Sequence, residues 1–561
     1  MTFELHPKKR HQRLNDSLLR YLPAKVALPL TIIFALVPAS LSFQNANLDA
    51  VESISKAESE TPEIWADAPR FEIDEDDLKR HINFLASDSI EGREAGSPGG
   101  QAAAAYIVSE LQKYGLEPGA ASQDFYQEFG NGYRNILAVI PGAEPDQQQT
   151  TDTSREEEFI VIGSHYDHVG YGNSKNSLGP LGQIHNGADD NASGTAMLLE
   201  LAQSIMNRKE KPTRSILFAF WDAEERGLVG SRHWVANPTC GLEQVKFYFN
   251  YDMVGRLKDE GLEVYGIRTA FGIQKQLVRN NHSPSLRLLY NWDNKGDSDH
   301  YPFYKKRIPY LMLHTGKHED YHRPSDDAQL INYEGLVNLT QLSARLLWDE
   351  SNRSAPSQFR QKSISESEFV RSGIQSRTGS FTERLGLTVI RPEGKEDLVE
   401  VRQVYQQSPA STAGLQTGDQ ILNFGNLPID SVIFETLVLR VESPVAVTYV
   451  RPPSTERQKV MIRLSGNPQL LGVNLHFDSA EPGAATIIRV RPNSPAHFAQ
   501  LENSDVIWSI NGHWPEKRED FFKVLATIPR DQKQLSLVIE REGKLREINV
   551  NLWPDSDVLE N

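Results

Sequence analysis

A histidine and an aspartate two positions apart, His165 and Asp167, stand where the apolar run Phe159, Ile160, Val161, Ile162 gives way to GSHYDHVG. Further on, HNGADDNASG, closing at Gly194, carries an aspartate pair, Asp189 and Asp190, into a helical pattern. Three later apolar runs end in polar groups in the same way. SILFAFW (Ser215 to Trp221) leads to Asp222, Glu224 and Glu225; VKFYFNY (Val245 to Tyr251) leads to Asp252; Ile308 to Leu313 leads to HTGKHEDYHRPSDD with His314, His318 and His322. Imidazole and carboxylate are the donors that a zinc-type cation takes, and open α/β sheets gather ligands beyond the carboxyl ends of their strands. His165, Asp189, Glu224, Glu225, Asp252 and His322 are therefore expected to meet on one sheet edge. Each piece alone is common; the series points to a metal site.

The elements that must position these groups are legible in the apolar pattern. The runs are nearly continuous rather than alternating, as in strands covered on both faces. Helical spacing links Leu78, Ile82 and Leu85; Pro98 opens a helix that continues through Ala102 to Leu111 and stops at Gly115. Asn135 to Ile140 reads as a strand, Gly194 to Met206 as a helix and Val337 to Trp348 as the closing helix. Strands alternating with helices predict an α/β fold, a mostly parallel central sheet sandwiched by helices.

A chain of 561 residues is too long for one ordinary domain. A formal charge of −16 with no basic stripe argues against a nucleic-acid partner. The single cysteine, Cys240, allows no intramolecular disulfide, and no histidine pairs with it as a nucleophile's base. Lys8, Lys9, Arg10, Arg13, Arg20 and Lys25 precede an apolar segment from Val26 to Phe43, the pattern of an export signal. Pro29, Pro38 and the modest length weaken a membrane span, so a membrane is involved only if this segment stays uncleaved as an anchor. Export, to the periplasm or the medium, is expected in both cases.

The tail repeats itself: SPASTAGLQTGDQILNFGN (Ser408 to Asn426) aligns with SPAHFAQLENSDVIWSING (Ser494 to Gly512). Two copies of a small, mainly β module are expected. Gln500 and Ser504 replace two glycines in the second copy, which predicts a less regular turn there.

The stretch from about Leu78 to Trp348 resembles the zinc aminopeptidase family that holds secreted bacterial leucyl aminopeptidases and glutaminyl cyclases. The motifs are LASDSIEGREAGSPG, GSHYDHVG, NGADDNASG, FWDAEERGLVGS, NYDMVG, DSDHYPF and YHRPSDD. The resemblance implies two zinc ions, with cobalt or manganese as substitutes. Asp189 would bridge them, His165 and Asp252 completing one and Glu225 and His322 the other. Glu224 would be the general base, and Asp167 would hydrogen-bond His165 from behind. Asp190 and Asn191 are expected to shape the turn and cap the helix. His168 and His185 are read as loop residues, and His300 as a pocket or structural residue; His314 and His318 compete with His322 on sequence alone. The implied reaction is release of N-terminal residues from peptides. The alternatives are a glutaminyl-cyclase-like acyltransferase or a catalytically weak scaffold.

The repeats resemble the PDZ domains attached to exported bacterial proteases. Leu385-Gly386-Leu387 and Leu471-Gly472-Val473 would be their carboxylate loops, receiving protein C-termini or extended peptides. The domain plan is a signal or anchor over 1–43, an acidic spacer over 44–74, a di-zinc peptidase domain over 75–350, a linker over 351–380, and PDZ-like modules over 381–466 and 467–555.

Overall fold

The computed structural model describes residues 69–143, 157–282, 285–375, 379–425, 427–429, 433–529 and 531–553. The expected export segment, and all but the end of the acidic spacer, lie outside these residues. Among the described residues no helix is long and apolar enough to cross a membrane.

The first part of the chain builds one mixed sheet of nine strands: β1 (Glu117–Pro118), β2 (Tyr126–Phe129), β3 (Tyr133–Ile140), β4 (Phe159–His165), β5 (Ser215–Trp221), β6 (Val245–Tyr251), β7 (Leu262–Tyr265), β8 (Leu288–Tyr290) and β9 (Tyr310–His314). Their order is β1-β3-β5-β4-β6-β9-β7-β8, with β2 beside β3. The centre, β5-β4-β6-β9, is parallel; antiparallel pairing enters at β3 with β5 and at β7 with β9. Every residue of β4 and β5 is buried, which is why both read as unbroken apolar runs.

One glycine inside this core has a steric cause. A Cβ on Gly163 would stand 2.4 Å from the Tyr248 hydroxyl and 2.5 Å from Trp221 Nε1. Glycine lets those two groups meet across β4, where Trp221 donates to Tyr248 at 2.9 Å. The helix Pro98–Tyr114 starts on Ser97, whose hydroxyl accepts from Gly100 N, and ends at Gly115. The helix Gly194–Met206 packs beside it and in turn against the helix Tyr333–Asn352 in the main core.

The tail forms two small antiparallel sheets. In the first, β10 (Leu387–Ile390), β11 (Val399–Val404), β12 (Gln420–Phe424), β14 (Val445–Val450) and β15 (Arg457–Ile462) follow in that order, with β13 (Leu427–Pro428) beside β12. In the second, β16 (Val473–His476), β17 (Ala485–Val490), β18 (Val506–Ile510), β19 (Gln534–Arg541) and β20 (Lys544–Asn551) pair in sequence order. The turn in the second copy is as regular as in the first, contrary to the sequence reading. Gln500 and Ser504 take φ of 55° and 76° where Gly414 and Gly418 have 83° and 89°. Asp505 receives Glu502 N and Arg541 just as Asp419 receives Gln416 N and Arg451. These bonds offset the roughly 1–2 kcal/mol per residue that a left-handed conformation costs a side chain with a Cβ.

The stretch between sheet domain and modules is more than a linker. Arg360 donates its backbone N–H to Thr269 O, and Glu366 pairs with Arg268 and Arg360. A helix, Glu368–Gln375, follows. Ion pairs hold residues 360–366, and the short helix sets Val370 and Ile374 against the main core. The second module is seated on the edge of the nine-stranded sheet: Leu288 N of β8 donates to Gly543 O, and Gly272 N to Ala480 O. Two buried carboxylates lie in this seat. Glu481 accepts Gln274 N and Lys275 N at the start of the helix Ile273–Asn280. Glu540 accepts the Tyr290 hydroxyl and the Trp508 indole.

Candidate metal centre

The polar groups named from the sequence gather at the carboxyl ends of β4, β5, β6 and β9. His165 closes β4, and its Nε2 lies 3.4 Å from Asp252 Oδ1 and 3.4 Å from Asp190 Oδ1. The other Asp190 oxygen faces a second group: Oδ2 is 3.0 Å from His322 Nε2 and 3.9 Å from His168 Nδ1. Glu225 Oε1 completes it, 3.0 Å from His168 Nδ1 and 3.2 Å from His322 Nε2. In each of the trios His165–Asp190–Asp252 and His168–Asp190–Glu225 the donor atoms lie within 4.8 Å of one another.

The shared carboxylate is thus Asp190, and the expectation that Asp189 lies between the two groups is corrected. Asp189 turns the other way, where Oδ1 accepts Gly255 N at 2.6 Å and Ser193 Oγ at 3.1 Å, and Oδ2 lies 3.1 Å from His318 Nε2. The cause is the irregular turn Ala188–Ser193, whose adjacent residues send their side chains to opposite sides. Asp326 fixes that turn from behind, accepting both Asp189 N and Asp190 N on Oδ2. The helix-capping role falls to Asn191 alone, whose Oδ1 accepts Gly194 N at 3.0 Å.

Asp167 also departs from its expected role. Its carboxylate is 3.8 Å from His165 Nδ1, whereas its backbone carbonyl is 3.2 Å away. The carboxylate instead accepts Glu224 N and Glu225 N, at 3.0 and 3.4 Å, because the turn leaving β5 leaves those two donors without a strand partner. It positions the glutamate pair rather than the imidazole. Asp252 is held by a buried chain: Tyr248 donates to Asn250, Asn250 to Ser298, and Ser298 to Asp252 Oδ2 at 2.6 Å.

The remaining histidines sort by contact. His168, read as a loop residue, stands among the donors. His300 is buried, donates to Lys295 O and stacks on Tyr310, so its place is structural. His185 bonds within its loop to Gln183 O and Ser177. His314 accepts Gly316 N on Nδ1. Burial pushes the Cys240 thiol up to about 12, leaving it a poor nucleophile.

Burial alone would raise the acids of the cluster, yet their histidines outweigh it. Hydrogen bonds from His165 and His322 hold Asp190 well below the usual carboxylate range. Asp252 and Glu225 are lowered by His165 and by His168 with His322. His322, lowered by burial but raised by Asp190 and Glu225, reaches about 10. Glu224 goes the other way: burial, with Asp299, Glu225 and Asp252 nearby, pushes it well up despite His165. Despite burial, Asp190 and Asp252 raise His165 well above the ordinary imidazole range, so its charged ring supplies the positive charge between the two carboxylates; a neutral ring, with Nδ1 on the Asp167 carbonyl, leaves Nε2 and the two oxygens free to take a cation in its place.

A cavity of about 300 Å³ opens beside both groups. Glu224, Met253, Glu263, Tyr265, Met312 and His314 are among the residues lining it.

In the first module a second cavity, about 420 Å³, runs between β10 and the helix Phe434–Arg440. Leu385, Gly386 and Leu387 line it. Arg491, Pro492 and Asn493 of the second module close one side. The matching loop of the second module is covered: Leu439 Cδ2 lies 3.0 Å from where a Cβ on Gly472 would be, and Leu439 O accepts Gln469 N. Leu471 is buried and Val473 half-buried.

Residues 145–347 match the model of peptidase family M28, and residues 469–552 match that of the PDZ domain. The first stretch is thus similar to M28 peptidases and the second to PDZ domains. Leupeptin-inactivating enzyme 1 of Streptomyces exfoliatus is 29% identical over 258 residues, 45% of this chain and 51% of that protein. Leucine aminopeptidase 1 of Arthroderma otae is 30% identical over 193 residues, 34% and 45% of the two chains. The chain spans about half the length of these relatives. Among solved structures, the LapA aminopeptidase of Legionella pneumophila aligns with a TM-score of 0.40 and 22% identity, covering 57% of this chain and 80% of that one. A zinc aminopeptidase of Bacillus subtilis aligns with a TM-score of 0.41 and 16% identity, covering 51% and 98%.

Proposed function

We propose that the protein is an exported metallo-aminopeptidase that releases N-terminal residues from peptides. The observation that carries this reading is Asp190, one oxygen turned to each group of donors. His165, Asp190 and Asp252 would hold one metal ion; Asp190, Glu225 and His322 the other, with His168 against Glu225. Zinc is the expected metal, with cobalt or manganese as substitutes. When bound, two such ions polarise the scissile carbonyl and make water a nucleophile near neutral pH.

The rest of the work belongs to the chain. Glu224 faces the cavity with a raised proton affinity, suited to taking a proton from the attacking water and giving it to the departing amine. Asp167 holds Glu224 and Glu225 by their backbone N–H groups, so that adjacent side chains serve different tasks. Ser298 fixes Asp252, and Asp326 fixes the turn that carries Asp190. The N-terminal charge and hydropathy pattern supports export.

The Glu224→Gln variant tests the reading. Hydrolysis of aminoacyl anilides should fall about 10²–10⁴-fold, while metal content by elemental analysis stays that of the wild type. Normal turnover in the variant would sink the mechanism. Conversion of a glutaminyl peptide to pyroglutamate without loss of a residue would sink the hydrolase reading.

We further propose that the first module's cavity receives an extended peptide with a free C-terminus. Peptides with a free C-terminal carboxylate should bind the full chain more tightly than their amidated forms. Equal affinity would remove this role.

A further inference from the structure

One wall of the catalytic cavity is set by the antiparallel pairing of β7 with β9. In β7, Leu262 and Val264 are buried in the core, so Glu263 and Tyr265 share the opposite face. The register sets Glu263 opposite His314 and Tyr265 opposite Met312, and all four side chains line the cavity. The same cavity contains His165, Asp190, Glu224 and Asp252, so a substrate whose scissile bond lies at the donors extends over this wall.

Glu263 is half-buried there, and Tyr265 donates to its Oε2 at 2.5 Å. Among the described residues Glu263 takes part in no ion pair: no lysine, arginine or histidine nitrogen lies within 4.0 Å. The lysines on the cavity's lining, Lys295 and Lys317, are exposed, and Lys317 lies over the Tyr321 ring instead; His165 and His322 are engaged by Asp190, Asp252 and Glu225. Gly316, its nearest loop neighbour, offers only backbone: a Cβ there would be 3.3 Å from Glu263 Oε1. A half-buried carboxylate given one neutral donor and no counter-charge, in a substrate cavity, is matched by a cation that arrives with the substrate.

We propose that Glu263 is the residue that recognises the cationic nitrogen of the substrate's N-terminal residue, supplied by the α-ammonium or by a lysine or arginine side chain. The assignment rests on the aminopeptidase reading and extends it to the chemistry of the bound residue. Tyr265 acts through Glu263, fixing the carboxylate's rotamer so that its free oxygen faces the cavity.

The test is a binding measurement, so that it can fail apart from catalysis. Full-length wild type and Glu263→Gln are titrated by calorimetry with leucinamide, lysinamide and 4-methylpentanamide, which lacks the α-amine. Glutamine keeps an acceptor for Tyr265, and an unchanged thermal midpoint confirms that the fold is intact. If the α-ammonium is the cation, the variant loses about tenfold or more for both amino amides and nothing for 4-methylpentanamide. If the side chain is the cation, only lysinamide weakens. In hydrolysis the loss should appear in KM, with kcat nearly unchanged. Equal affinity of wild type and variant for all three compounds would overturn the assignment. Absence of hydrolysis with this binding pattern intact would instead overturn the peptidase reading.

Discussion

At the strand ends, Asp190 and Asp252 are buried and Glu225 half-buried among histidines; in the seat of the second module, Glu481 and Glu540 are buried among backbone N–H groups, a phenol and an indole. Burial penalises the charged form in both places. In the first it is outweighed by groups that can carry positive charge, and the acids are held low. In the second the partners are neutral, and burial pushes Glu481 up to about 8 and Glu540 to about 7. A carboxylate held ionised in a dry pocket is prepared for a cation. A carboxylate held protonated is a joint whose strength depends on pH.

The largest effect expected from this contrast is at Asp190. Asp190→Asn removes the charge shared by both donor groups, so metal content should fall at both sites together and hydrolysis should drop at least as far as in Glu224→Gln. Asp189→Asn leaves both groups intact and disturbs only the contacts to Gly255, Ser193 and His318. It should retain metal and lose far less activity. Elemental analysis of the two purified variants separates them, and a metal-free Asp189→Asn beside a loaded Asp190→Asn would reverse the assignment.

The strand framework was legible because strands covered on both faces leave unbroken apolar runs, and because active groups sit where those runs stop. SILFAFW and VKFYFNY became β5 and β6 residue for residue. The choice between Asp189 and Asp190 was not legible. Adjacent residues of one type differ only in which way an irregular turn points them, and that depends on partners far along the chain, Gly255 N as a donor and the Asp326 carboxylate as an acceptor. His168 was missed for a related reason: it reaches the donors through a loop whose course is fixed by a backbone pairing with Glu94. Order in residues 360–366 was hidden because ion pairs leave no periodic trace, and the helix after them is too short for its one apolar pair, Val370 and Ile374, to stand out. Glu263 sits in no motif; it becomes visible only once the register of β7 against β9 is known.

The smallest predicted effect concerns the second region. A carboxyl group with raised proton affinity in the folded state favours folding below its unfolded value of about 4.5 and loses that contribution as pH rises through the folded value. For Glu540 the loss runs from about pH 4.5 to 7, and for Glu481 from about 4.5 to 8. Each proton is worth at most about 1.4 kcal/mol per pH unit, and the Arg371 charge near Glu540 reduces its share. Glu540→Gln keeps an acceptor for Tyr290 and Trp508 but cannot ionise. Compared with wild type, it should be relatively more stable at pH 7 than at pH 5, with only a small further gain from pH 7 to 8. Glu481→Gln should go on gaining up to pH 8, because Glu481 is still losing its proton there. Denaturant unfolding at pH 5, 7 and 8 reads both differences. Parallel curves for wild type and the two variants would mean that these acids are ionised in the folded protein, and the contrast between the two regions would fail.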